Sequence, residues 1–253
     1  MIRLGALLVA IIAACVSARG EDLIVALSTR DVAITSNYTG AEITVFGLIE
    51  RDARAVARPG GYDIVAHVRG PVGEVVVQRK GRFGPIWLTE NRSRYLSVPL
   101  FFSVLSSRPI KEITDETLRA RLKLGLEYYL PPIPPGKEEA EEHDFRAALL
   151  RLRARDDALS VNEKGIDFIR PNLFSAHVRL PAKAPPGLYV VNLTLLAGGV
   201  ELKSAQAGFV VRKAGFDAFV SSSARYEPMW YGFFAVLIAI SLGYLANLVF
   251  RRD

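Results

Sequence analysis

Apolar residues along this 253-residue chain follow three rhythms. Near each end they run almost unbroken. Over most of the remainder they alternate with polar residues or come in short bursts, and between about 114 and 159 they recur every three or four positions. An unbroken run belongs in a leader or a bilayer, period two in a half-buried strand, and period 3.6 on one face of a helix. The pattern predicts a mainly β fold of immunoglobulin-like sandwich modules, with a helical hairpin insertion and one C-terminal transmembrane helix.

Runs at 23–27, 43–49, 62–69, 74–80 and 95–105 are separated by turn residues, among them Asn37-Tyr38-Thr39-Gly40, Pro59-Gly60-Gly61 and Gly70-Pro71. Such spacing suits an antiparallel sandwich. Within 62–69, alternation puts Tyr62, Ile64, Ala66 and Val68 on a core face and Asp63, Val65, His67 and Arg69 on a face expected to be mostly wet. Later runs fall at 173–180, 188–196 and 200–211, with Gly198-Gly199 as a hairpin turn, and a last strand is expected at 216–222.

Between these two sets of strands, Thr114 or Asp115 can cap a helix reaching about 129, with Leu118, Leu122, Leu126 and Tyr129 on its apolar face. A proline-rich joint at 131–135 forbids helix. The second helix, about 137–159, should bury Phe145, Leu149, Leu152 and Leu159. Its acids come first and its arginines last, as the helix dipole favours, so the acidic cluster is read as helix physics and not as a metal site. The resulting division is a signal peptide 1–18, an N-terminal β-sandwich module 19–110, a helical hairpin 111–162, a C-terminal β module 163–224, a transmembrane helix 225–250 and a cytoplasmic tail 251–253. Two sandwiches, or one sandwich with a helical insertion, both satisfy it.

The two apolar ends set the topology. One positive charge, an apolar stretch and Val16-Ser17-Ala18 read as a secretory signal peptide cleaved after Ala18; Cys15 also fits the position of a lipidated bacterial cysteine. Residues 229–250 carry no charge, long enough to cross a bilayer, with Trp230 and Tyr231 placed as an aromatic belt and Arg251-Arg252 as a stop-transfer signal. The positive-inside rule then leaves the C-terminus in the cytoplasm and the N-terminal domain on the far side of the membrane, as an exported domain on a single-pass protein. Ala235, Ala239, Gly243 and Asn247 recur every four residues, a small-residue stripe suited to helix–helix packing with an integral membrane partner or a second copy.

Composition narrows the chemistry. The only cysteine is Cys15, so the exported region holds no disulfide framework, thiolate metal site or cysteine nucleophile. Three histidines, His67, His143 and His177, lack ligand spacing, and no nucleophile elbow or phosphate-cradling loop is present, so no catalytic residue, metal or cofactor is assigned. The formal net charge is +6. It concentrates at 79–94, where Arg79, Lys80, Arg82, Arg92 and Arg94 accompany one acid, Glu90, with Trp87 as a flat ring. That set can hold an oxyanion or meet anionic lipid headgroups, or it can be the solvated face of a hairpin. Export argues against nucleic acid as a partner.

Several segments taken together resemble the alphaproteobacterial "putative transmembrane protein" family of unknown function. They include Leu27-Ser28, Ile34-Thr35-Ser36, Thr39-Gly40, Phe46-Gly47-Leu48-Ile49-Glu50, Val68-Arg69-Gly70-Pro71, Gln78-Arg79-Lys80, Ile86-Trp87, Val98-Pro99, Ser107-Arg108-Pro109 and Pro185-Pro186-Gly187-Leu188-Tyr189. After Val98-Pro99 the family pattern has a serine and a tyrosine, where this chain has Leu100-Phe101-Phe102. The resemblance implies a bacterial inner-membrane setting and association with sulfite-exporter-like anion permeases. The function expected on these grounds is a non-enzymatic, membrane-anchored periplasmic interaction module. The alternative is an oxyanion-binding or sensing domain centred on the basic segment.

Overall fold

A computed structural model of the chain describes residues 21–51, 61–130, 133, 139–215, 220 and 223–250. The expected leader with Cys15, the tail 251–253, most of the proline-rich joint and all but one residue of the strand expected at 216–222 lie outside the described residues.

The first seven strands are β1 (Asp22–Leu27), β2 (Asp31–Ile34), β3 (Ala41–Glu50), β4 (Asp63–Arg69), β5 (Val72–Phe83), β6 (Ile86–Pro99) and β7 (Phe102–Ser106). Two short helices follow, α1 (Ile110–Ile113) and α2 (Glu116–Leu122), then a 3-10 turn at Leu126–Tyr128 and the long α3 (Glu139–Arg155). The chain returns to strands with β8 (Leu159–Asn162), β9 (Ile166–Arg170), β10 (Leu173–Leu180), β11 (Gly187–Ala197) and β12 (Val200–Lys213), and ends in α4 (Pro228–Phe250).

Three sheets result. One has the order β1-β3-β10-β9, the second β2-β12-β11-β4-β7-β8, and the third is the β5-β6 hairpin alone. Because β10 pairs with β3 and β11 with β4, strands from the expected N-terminal and C-terminal modules interleave. The chain therefore builds one sandwich with an insertion, and the boundary between 19–110 and 163–224 separates no modules. Each edge of the six-stranded sheet is a four-residue strand laid parallel to its neighbour, β2 on β12 and β8 on β7. Short edges of this kind offer little ladder to another chain. The β11–β12 turn is the expected one: Gly198 and Gly199 both take positive φ, as a mirror-image two-residue hairpin turn requires.

Two apolar cores sit on either side of the six-stranded sheet. The first lies between the two large sheets and contains Ile43, Val45, Ile64, Val68, Phe174 and Tyr189. The second lies on the sheet's outer face and joins Val65, Phe102 and Val104 to Tyr95 of the hairpin and Phe145 and Leu149 of α3. The outer face of β4 is consequently not wet: Val65 is fully buried, and Asp63 and His67 are also buried, because the chain between β4 and β8 folds back over them. Phe101 points into the first core and Phe102 into the second, so both are packing residues.

The helical insertion is shorter than its periodicity predicts. Asp115 caps α2, accepting from the Leu118 N–H at 2.8 Å, but Lys123 adopts φ 55° and ends the helix there. In α3 the buried stripe is Phe145 and Leu149; Leu152 is exposed, and Leu159 is buried from β8 instead of from the helix. The helix stops at Arg155 because Asp157, with φ 54°, turns the chain toward the sheet.

Several residues of the family-like segments explain themselves by packing. Gly47 lies directly opposite Phe174 across the β3–β10 pair, and a Cβ there would fall 2.0 Å from the ring. Tyr189 stacks on Phe209 with centroids 5.0 Å apart, tilts against Phe101, and donates its hydroxyl to the Pro185 carbonyl at 2.8 Å. Gly70 leaves room for that ring, since a Cβ would come within 3.0 Å of it. Burial pushes the Tyr189 phenol well above its ordinary value, so it stays a donor.

Two stability predictions follow from this packing. Gly47→Ala should cost about 3 kcal/mol, at the upper end of overpacking effects, measured by denaturant unfolding of the detergent-solubilised protein. Phe174→Leu in the same chain should recover part of that loss. His67 supplies the second. Burial, aided by the Arg69 charge, lowers its pKa to about 4, and its Nδ1 has no hydrogen-bond partner. The neutral ring is the folded form. As pH falls below about 6.5 the unfolded chain takes up a proton that the folded chain refuses until about 4, so stability is lost across that window, by about 3 kcal/mol. His67→Gln should flatten the profile between pH 7 and 4.

Candidate functional site

The β5–β6 hairpin is the one sheet among the described residues with no third strand, and it carries all six residues of the basic constellation. Alternation splits them between its faces. Val75, Val77 and Arg79, with Ser93 and Tyr95 across from them, turn toward α3. There the Arg79 guanidinium donates to Asp144 at 3.1 Å and lies 5.3 Å from the Phe145 ring centre. Ser93 donates to the buried Glu142 at 2.9 Å. Burial first, and then the nearby Glu142 carboxylate, push the Tyr95 phenol up to about 12. Two acids of the α3 cluster thus bind the hairpin to the helix, a role that helix-dipole reasoning does not anticipate.

The register places Lys80, Arg82, Trp87, Arg92 and Arg94 on the opposite face. A register shift at Arg79/Lys80, with Glu90 as the extra residue, keeps these cations together past the irregularity. Arg94 pairs with Glu74 at 3.0 Å, and Arg82 donates to the Gly84 carbonyl of its own turn at 3.1 Å. Lys80 and Arg92 are exposed beside them. The structure therefore brings five of the six together and puts Arg79 behind them.

Beyond the reach of α3 the hairpin runs on to an apolar end. Phe83 and Trp87 are 75% and 65% exposed, and Ile86 and Leu88 about half exposed. Gly84, with φ 61°, followed by Pro85 makes the two-residue turn. Four large apolar side chains clustered on one projecting tip exceed the scattered exposure that a soluble surface ordinarily carries. Sequence periodicity missed this because the expected runs stop at 80 and resume at 95, which leaves 83–88 in no element, and because the lack of a covering element is a tertiary fact.

Arg108, a basic residue near this region in the sequence, belongs elsewhere. Its Nε and Nη2 donate to both carboxylate oxygens of Asp63 at 2.7 Å, and Ser107 donates to the same carboxylate at 3.4 Å while accepting from the Ile64 N–H at 3.2 Å. This clamp fixes the end of β7 to the start of β4.

The C-terminal helix α4 is 23 residues long, about 35 Å at 1.5 Å per residue. Its span Pro228–Asn247 has a mean hydropathy of 1.8 and none of it is buried against the rest of the protein. Trp230 packs on Phe233 and Phe234 at its start. Ala235, Ala239, Gly243 and Asn247 all lie exposed along the helix. This helix, the one among the described residues long and apolar enough to cross a bilayer, is exposed beside a β-sandwich, as in a membrane-anchored domain. The chain belongs to the alphaproteobacterial family described as "Putative transmembrane protein (Alph_Pro_TM)", which matches residues 22–252.

No curated protein matches the chain in sequence. Among solved structures it is similar to Spo0M, a sporulation control protein from Bacillus subtilis, at 12% identity and a TM-score of 0.29, covering 82% of this chain and 55% of that one. The chain thus spans about half the length of Spo0M. It is also similar to AggA, the major subunit of aggregative adherence fimbriae type I from Escherichia coli, at 10% identity and a TM-score of 0.28, covering 78% and 97% of the two chains. Both likenesses are faint.

The clamp gives a direct test. Arg108→Met should destabilise the protein by about 2 kcal/mol by leaving the buried Asp63 carboxylate short of donors. Adding Asp63→Asn should restore part of the loss, and a double-mutant cycle by chemical denaturation reads the coupling.

Proposed function

We propose that this protein is a non-enzymatic interaction module, held on the periplasmic side of a bacterial inner membrane by α4 and assisting an integral membrane protein such as an anion permease. The observation that carries the reading is the projecting hairpin end, where Trp87 is exposed on the face of Lys80, Arg82 and Arg92 and where Phe83, Ile86 and Leu88 are exposed on the other face. Tryptophan and arginine over an apolar centre are the side chains that dominate protein interfaces. Arginines directly after the span favour a cytoplasmic C-terminus, which leaves the sandwich on the other side. Confined to that surface, the hairpin meets partners embedded in the same bilayer, and the small-residue stripe of α4 offers them a second, intramembrane contact.

A photoreactive amino acid at position 87, activated in native membranes, should give a discrete adduct with an integral membrane protein. Adducts with lipid alone, or none, would overturn the reading. Ala239→Leu with Gly243→Leu should reduce recovery of the same partner severalfold. The second reading, a free-oxyanion site on the hairpin, draws on the shared face of Lys80, Arg82 and Arg92. It requires that sulfite, sulfate or phosphate raise the unfolding temperature of the full chain and that Arg92→Gln abolish the rise.

A further inference from the structure

A cavity of about 570 Å³ opens where the hairpin base, the helical insertion and the outer face of β4 and β7 meet. Three cations line it, each from a different element: Arg69 at the end of β4, Lys123 just past α2, and Arg146 on α3. No carboxylate is among its lining residues. Apolar side chains make up much of the rest of the wall, with Val72, Pro99, Phe102 and Leu130 contributing.

The Arg69 guanidinium lies 5.9 Å from the Phe102 ring centre, and its Nε is buried with no hydrogen-bond partner. A buried donor left unpaired is costly in a native fold and calls for an acceptor. Tyr129, also on the wall, donates its hydroxyl to the Pro99 carbonyl at 2.8 Å. The backbone adds a second indication. Of the three non-glycine residues with positive φ among the described residues, Ser97 and Lys123 both line this cavity. Lys123 occupies a left-handed helix-ending position where glycine would fit at lower cost.

We infer that this cavity binds a small organic oxyanion, a sulfonate or carboxylate carried on a compact apolar body. The acidic group is met by Arg69, Lys123 and Arg146, and the body lies against Phe102 and its apolar neighbours. The volume falls within the range of small-molecule sites. A bare inorganic oxyanion would leave the apolar wall and most of the space unused. The site is separate from the hairpin face and is independent of how that face is used.

Isothermal titration of the full chain in nanodiscs of zwitterionic lipid tests it, with benzenesulfonate as the probe and sulfate and benzyl alcohol as the comparators. Benzenesulfonate should bind saturably below about 1 mM, with sulfate and benzyl alcohol each at least about tenfold weaker. Arg69→Gln should weaken benzenesulfonate at least about tenfold. Lys123→Gly should also weaken it while leaving the unfolding temperature equal or higher, a combination that a purely structural lysine would not produce. Arg170→Gln, on the four-stranded sheet, should change neither. Absence of saturable benzenesulfonate binding up to about 10 mM overturns the proposal. So does unaltered affinity in Lys123→Gly, or sulfate binding as tightly as benzenesulfonate.

Discussion

The six-stranded sheet has to be covered twice. Its inner face meets the four-stranded sheet in the ordinary manner of a sandwich, but β4 and β7 are buried on both sides, and Val65, Phe102, Val104 and Leu196 would otherwise present a second apolar surface to water. The β5–β6 hairpin and the helical insertion solve that problem. They leave the sheet as a hairpin and return as helices, and together they bury Val65, Phe102, Val104 and Leu196 from outside. The hairpin is held to α3 by Arg79 on Asp144 and Ser93 on Glu142, so the covering layer is braced by polar contacts as well as apolar ones. Both sites of interest arise from this arrangement. The exposed tip is the part of the hairpin that outruns α3, and the cationic cavity is the seam where the layer fails to close on the sheet.

Much of the fold was legible in the sequence, and particular residues show where legibility stops. Period-two runs located β3, β4, β10, β11 and β12, and Gly198-Gly199 marked its own turn, since these are signals carried within a few residues. Asp115 announced α2 by the same local logic. By contrast β2, β8 and β9 are four or five residues long and owe their extended form to a neighbouring strand. No local pattern specifies a partner that lies far along the chain, as β11 does for β4. The solvated face expected for Asp63, Val65 and His67 shows the same gap: alternation tells which residues share a face, but what covers that face is a tertiary fact.

The basic segment was found in the sequence as a cluster of charge, and its division into a braced side and an open side was not. Arg79 and Arg92 look alike in a string of letters. The pairing of Arg79 with Asp144, sixty-five positions away, separates them. The cavity was less visible still, since Arg69, Lys123 and Arg146 come from three segments with no shared spacing. Lys123 could have been noticed only by asking why a helix ends on lysine where glycine is usual. Many residues that suggested the family, Gly47, Gly70, Arg108 and Tyr189 among them, are architectural. Ile86-Trp87 stand apart, exposed and without packing duties.

The covalent link between sandwich and α4 alters what counts as adequate affinity. A domain tethered to a membrane meets a target in the same bilayer at an effective concentration that tethering can raise to about millimolar. At such concentrations an encounter worth only about 4 kcal/mol is occupied much of the time. On the proposed reading, a hairpin end of a few aromatic and basic side chains would therefore suffice as a contact, where on a freely diffusing protein it would be too weak to register.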